Sequence, residues 1–257
     1  MFLSEITVSV IGSVTGFVMG GRFLNGFRYR YGAFVRSSKA LSTLLVSVFL
    51  IVSSTSVIAG EKVTIAALGD SLTQGYGLVQ EDGFTAQLQD WLTTSEQEVV
   101  ILNAGVSGDT TTGGLNRVDW TLTPDVDAMI VALGGNDVLR GTAPEVARAN
   151  LDGILSMATA RHIPVLLIGI DVPENYGADY KAQFSEIYPD LANKYNTLYS
   201  ESFLGPLTTL GSMTDILEAY FQPDGIHPNA TGVSIIVDAI GPMVADLAQR
   251  ARDQVAR

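Results

Sequence analysis

The sequence predicts an α/β domain, a doubly wound parallel sheet with right-handed crossovers. Three observations predict it. Short, unbroken apolar runs recur along the chain, as expected of strands covered on both faces. Segments with helical apolar spacing lie between them. Polar, glycine-bearing turns follow the first three runs directly, at the strand ends where open parallel sheets bind their ligands.

The first run is Val63–Leu68 (VTIAAL), the second Glu98–Leu102 (EVVIL), the third Asp127–Leu133 (DAMIVAL) and the fourth Ile163–Ile170 (IPVLLIGI). Asn196–Tyr199 is a weaker fifth. Between them, Phe84–Trp91 sets Phe84, Leu88 and Trp91 on one helical face. Pro144–Ala160 opens with a proline suited to a first helical turn. Tyr180–Lys194 and Ala230–Ala256 also read as helices. Glu201–Gln222 has no clear period and reads as a flexible cover. One domain, residues 60–257, accounts for the whole alternating pattern.

Composition removes several function classes. Of 257 residues, 47% are hydrophobic and 16% charged, which excludes a disordered chain. The net charge of −12 argues against nucleic acid as a partner, since counterion displacement needs a basic face. Cysteine is absent, so disulfides, thiolate zinc sites and cysteine nucleophiles are absent with it. Only His162 and His227 are present, too few for a multi-histidine metal cage.

Four polar segments converge on one rim of the predicted sheet: Gly69–Thr73, Asn103–Asp109, Gly134–Asp137 and Asp224–Asn229. Each alone reads as well as a turn or a helix cap, with Asp109 a candidate N-cap for Thr110–Asn116. Together they hold the parts of a nucleophilic site. A serine hydroxyl needs a base, and histidine is the usual one near neutral pH. His162 enters the fourth strand at its amino end, away from the rim, which leaves His227. Asp224, three residues earlier, can reach and orient its imidazole. Ser71, His227 and Asp224 thus form a candidate catalytic set. Oxyanion donors are available from the Ser71 backbone at a helix start, from the Gly105 backbone and from the Asn136 amide. Asp70 reads as a structural hydrogen-bonder of the nucleophile turn.

These blocks resemble the GDSL family of lipolytic enzymes, also called SGNH hydrolases. The four lettered residues match as Ser71, Gly105, Asn136 and His227, and the likeness runs over residues 63–249. Within the family the sequence is most similar to the periplasmic thioesterase I, lysophospholipase and arylesterase group. Supporting stretches include NAGVSGDT at Asn103–Thr110, LGGNDVLRG at Leu133–Gly141 and PENYG at Pro173–Gly177.

The resemblance implies a flavodoxin-like, three-layer fold with five parallel strands. It also implies a two-step serine hydrolase that uses neither metal nor cofactor, acts on esters and acyl thioesters, and works as a monomer. A carbohydrate O-deacetylase of the same fold is the alternative, and a non-catalytic binding protein a remote one. Val138, Leu139, Asp171, Pro173 and Tyr176 are candidate substrate contacts. Asp171 stands where the thioesterase I group often has a basic residue, so it should disfavour anionic substrates.

Charge divides the chain. Residues 1–59 hold five bases and one acid, a net +4, which leaves −16 on residues 60–257. A basic stretch, the apolar run ALSTLLVSVFLIV at residues 40–52 and small residues ending at Ala59 lay out a secretory signal peptide. An uncleaved anchor is the rival reading. Residues 6–20 are also apolar, an unusual preface that suggests a start assigned too early, with Met19 or Val35 as the true one. No twin-arginine pair occurs, which favours general secretion into the periplasm or medium. Amino-terminal sequencing of the exported protein should begin at Gly60, and a start before residue 50 would contradict the signal-peptide reading.

Overall fold

The computed structural model describes residues 62–255. The signal-peptide reading lies outside these residues. Five strands form one all-parallel sheet: β1 (Val63–Gly69), β2 (Val99–Gly105), β3 (Ala128–Ala132), β4 (Val165–Ile168) and β5 (Leu198–Ser200), in the order β2-β1-β3-β4-β5. This is the flavodoxin-like order, with its topological switch between β1 and β3.

Period-two alternation sends neighbouring side chains of each strand to opposite faces. On one face Ile65, Ala67, Ile130 and Leu166 pack with α2 (Phe84–Thr94) and α10 (Ala230–Val255). On the other, Leu68, Met129, Val131 and Leu167 pack with α3 (Thr111–Thr121) and α5 (Pro144–Ala160). Helix α10 buries Val233, Ile236, Val237, Ile240, Val244 and Leu247, a stripe at three- and four-residue spacing. Gly241 leaves room there for the Trp91 ring, since a Cβ would stand 2.6 Å from it.

Three short helices stand near the carboxyl ends of the strands: α1 (Ser71–Gln74) after β1, α4 (Gly135–Leu139) after β3, and α8 (Gly205–Thr208) after β5. The remaining helices are α6 (Ala178–Ser185), α7 (Ile187–Tyr195) and α9 (Met213–Tyr220).

Four details differ from the sequence reading. The Tyr180–Lys194 segment is two helices, because Pro189 has no N–H for the Ser185 carbonyl and the chain breaks at Glu186. The stretch read as an aperiodic cover contains α8 and α9, whose Leu207 and Ile216 are buried in the core. Strand β2 runs on through Asn103, Ala104 and Gly105, paired to Ala67, Leu68 and Gly69. The N-cap of α3 is Thr110, which accepts from Gly113 N–H at 3.3 Å, while Asp109 turns to Arg117.

Candidate active site

The turn after β1 sets the first side chain. Asp70 caps α1, its Oδ1 accepting from the Leu72 N–H at 3.0 Å, so Ser71 becomes the first residue of the helix. The Ser71 Oγ lies 2.8 Å from His227 Nε2, and His227 Nδ1 lies 2.6 Å from Asp224 Oδ2. These contacts join the chain start of the domain to the loop before α10. The Tyr76 ring stands 4.7 Å from the imidazole, centroid to centroid, and closes one side of it.

The other oxygen of Asp224 is held by backbone. Its Oδ1 accepts from the N–H groups of Ile226 at 2.9 Å and His227 at 3.0 Å. These donors, the His227 backbone foremost and then its side chain, hold the Asp224 carboxyl down at about 2. Asp224 is therefore ionised across the neutral range. It fixes Nδ1 as the protonated ring nitrogen, which leaves Nε2 to accept from serine.

Asp70 has the opposite environment. It is 5% exposed, and burial pushes its carboxyl up to about 6 against the bonds from Leu72 and Asn136 and the nearby His227. Its Oδ2 accepts from Asn136 Nδ2 at 3.3 Å. Asn136 sits on α4, entered through Gly134 at φ +123°, where a Cβ would stand 2.1 Å from the Tyr188 hydroxyl.

Gly105 does not join this group. Its N–H donates to Asn103 Oδ1 at 2.9 Å, and it is still part of β2. A Cβ there would meet the Gln74 backbone nitrogen at 2.3 Å, so its glycine serves the packing of β2 against α1. Two glycines border the cavity, Gly135 at the start of α4 and Gly108, with φ +77°, in the loop after β2. Its loop is held from two sides: Gln74 Oε1 accepts from the Ser107 N–H at 3.0 Å, and Arg140 donates to the Gly108 carbonyl at 2.8 Å. Among the described residues, the N–H groups of Ser71 and Gly108 have no acceptor. Sequence reasoning missed Gly108; its available signal was a glycine in the Ser-Gly-Asp turn, where a left-handed residue is common.

Beside these groups lies a cavity of about 350 Å³. Ser71, Asn136, His227 and Gly108 border it, and its walls are mainly apolar: Leu72, Tyr76, Val138, Leu139, Ile170, Pro173, Phe203, Leu204 and Ile226. Of the candidate substrate contacts, Val138, Leu139, Asp171 and Pro173 line the cavity, with Asp171 bonded to the Ser202 hydroxyl. Tyr176 does not line it. Its ring packs beside Tyr180 and its hydroxyl points to the Leu139 carbonyl. His162 is an exposed, left-handed residue between α5 and β4, at the other end of the sheet.

A GDSL-like lipase/acylhydrolase family model matches residues 67–235. The chain belongs to this family. Esterase TesA of Pseudomonas aeruginosa is 35% identical over 185 residues, 72% of this chain and 89% of TesA. Thioesterase 1/protease 1/lysophospholipase L1 of Escherichia coli is 34% identical over 177 residues, 68% of this chain and 80% of its own length. Among solved structures, the SGNH-hydrolase family esterase AlinE4 is 43% identical, with a TM-score of 0.59 over 73% of this chain and 97% of AlinE4. This GDSL/SGNH chain is a hydrolase of ester bonds.

The two carboxyls of the site also separate in their effect on stability. Asp70 has a folded value of about 6 against 3.8 for the free group. Folding therefore favours its protonated form. That contribution is complete below about 3.8 and is lost as the pH rises through about 6. Asp70→Asn should thus be more stable than the wild type at pH 8 by about 2–3 kcal/mol, at about 1.4 kcal/mol per unit. The difference should close near pH 4. Urea denaturation at both pH values checks this; a gap of the same size at pH 4 would contradict it.

Proposed function

We propose that the protein is an exported serine esterase that hydrolyses neutral carboxylic esters and acyl thioesters through an acyl-enzyme. The observation that carries this is the continuous chain from Asp224 Oδ2 through His227 to Ser71 Oγ, with bonds of 2.6 and 2.8 Å, opening on an apolar cavity.

In this reading His227 Nε2 takes the serine proton as Oγ attacks the acyl carbonyl carbon. Asp224 stabilises the imidazolium that forms. The carbonyl oxygen gains charge as the tetrahedral intermediate builds, and three donors receive it: the N–H groups of Ser71 and Gly108 and the Asn136 amide. The imidazolium then gives its proton to the leaving alcohol or thiol. Water attacks the acyl-serine by the same route, with His227 again the base, and releases the carboxylic acid.

The walls support an acyl chain over a sugar. Leu72, Ile170, Phe203 and Leu204 offer no hydrogen bonds for hydroxyl groups, which supports a lipid-type substrate over an acetylated carbohydrate. The names of the Pseudomonas and Escherichia relatives support esters, thioesters and lysophospholipids as the classes to try. Asp171 selects among them. A carboxylate in the wall repels phosphate-bearing substrates, and its Ser202 bond holds it in place.

The first test compares residues 60–257 as wild type and Ser71→Ala on p-nitrophenyl esters from C2 to C12, palmitoyl-CoA and an acetylated sugar. Wild type should prefer the longer neutral esters. Ser71→Ala should lose about 10⁴-fold or more in kcat. Equal activity in the two proteins would overturn the triad, and a preference for the acetylated sugar would favour the deacetylase. Asp171→Arg should raise the rate on palmitoyl-CoA relative to a neutral p-nitrophenyl ester. An unchanged ratio would remove Asp171 as a determinant.

A further inference from the structure

Asp70 has no step in the mechanism above, yet it is buried at the cavity and reaches two working parts at once. Its Oδ1 holds the start of α1 through Leu72, and its Oδ2 holds Asn136 Nδ2 at 3.3 Å. A side-chain amide is nearly symmetric in shape. Nothing in the asparagine itself decides whether nitrogen or oxygen occupies a given place. An ionised carboxylate does decide, because it can only accept a hydrogen bond.

We propose that Asp70 is a positioning residue that locks the Asn136 amide with its nitrogen facing the nucleophile turn, so that an N–H rather than a carbonyl oxygen meets the oxyanion. The proposal rests on the hydrolase reading. Asp70 does for Asn136 what Asp224 does for His227: a carboxylate removes the choice between two states of a partner whose two ends look alike. Reversal of the amide would put a second negative end where charge develops, and the donor would become a repulsion.

The lock works only while Asp70 is ionised. A protonated Asp70, with Oδ1 kept at Leu72, turns an O–H toward Asn136 that donates well to the amide oxygen and accepts poorly from the amide nitrogen, so the reversed orientation is favoured. Burial sets its charge first, pushing Asp70 toward the neutral form against the bonds from Leu72 and Asn136. His227, from the loop before α10, draws it toward the ionised form, and Asp109, from the loop after β2, opposes this. Tyr188 of α7 feels the Asp70 charge, and its hydroxyl is held neutral by burial. Protonation of Asp70 in mildly acidic solution therefore removes the donor in addition to any loss from His227.

Asp70→Asn separates the lock from the cap. Asparagine is as good an N-cap as aspartate and has the same size, but with its oxygen held at the Leu72 N–H it turns an NH2 group, not an acceptor, toward Asn136. With p-nitrophenyl butyrate, Asp70→Asn should lower kcat about 10–100-fold and leave KM within about twofold, as expected for a donor used in the transition state. Asn136→Ala should lower kcat by about 10²–10³-fold. The double variant should be no slower than Asn136→Ala alone, because the lock has nothing left to hold.

The acid limb of kcat/KM should fall with two protons in the wild type and with one in Asp70→Asn. Urea denaturation establishes that each variant is folded, and the wild-type limb reads the lock without any variant. An Asp70→Asn kcat equal to wild type, a one-proton wild-type limb, or equal losses from Asp70→Asn with and without Asn136 would overturn the lock. An active wild type with such additive losses sinks the lock alone. A wild type inactive on every ester sinks the hydrolase reading and the lock together.

Discussion

One guanidinium group holds the rim of the sheet together. Where the strands give way to loops, their last carbonyls still have lone pairs to offer. Arg117 of α3 donates to two of them, Ala104 at 2.6 Å and Gly69 at 2.8 Å, and its Nε pairs with Asp109 at 2.7 Å. Gly69 immediately precedes Asp70 and Ser71. Ala104 leads into the loop that ends in Gly108 and Asp109. A single side chain therefore fixes the nucleophile turn and the neighbouring donor loop to each other. The planar fork of arginine suits this task; a lysine could not meet three acceptors in one plane.

The same logic recurs at the third loop. Asp137 is fully buried and accepts from the Thr111 N–H at 2.8 Å and the Thr111 hydroxyl at 2.7 Å. Thr111 is in turn bonded by Asn150 of α5. Asp137 adjoins Asn136, so α4 is pinned to α3 and α5 behind the cavity. Three loops from three strands are tied into one block by polar side chains rather than by apolar packing. Donors held in this way do not have to reorganise when charge appears before them.

The sheet was legible wherever burial on both faces forced an apolar run, as in Val63–Leu68 and Ala128–Ala132. It was illegible where pairing rests on backbone alone. Asn103, Ala104 and Gly105 continue β2 at an edge of the sheet with no large apolar side chain to announce it. That extension explains the misplaced candidate: a strand three residues longer places Gly105 within β2 and leaves Gly108, in the loop beyond it, at the cavity. Ser71, His227 and Asp224 were readable because their chemistry leaves few alternatives in a chain with two histidines and no cysteine. The far walls were not. Phe203, Leu204 and Ile226 reach the cavity from loops whose course depends on α8, α9 and the return to α10, and no local pattern encodes that.

Asp70 and Asp224 are the same side chain in opposed surroundings. Asp224 is partly exposed, saturated by backbone N–H groups and His227, and stays charged down to about 2. Asp70 is buried, has fewer donors, and holds its proton up to about 6. Separated carboxyls of this kind divide the work of a site. One supplies a permanent charge beside the base, while the other carries a charge that the fold resists. At neutral pH that resistance weakens the folded state, and an apolar or amide residue at position 70 would relieve it. A group kept against its own stability cost marks a position where orientation matters more than stability. Among the described residues, the Asp70 side chain bonds the Leu72 N–H of the helix it caps and the Asn136 amide, and the amide is the one whose orientation a carboxylate decides.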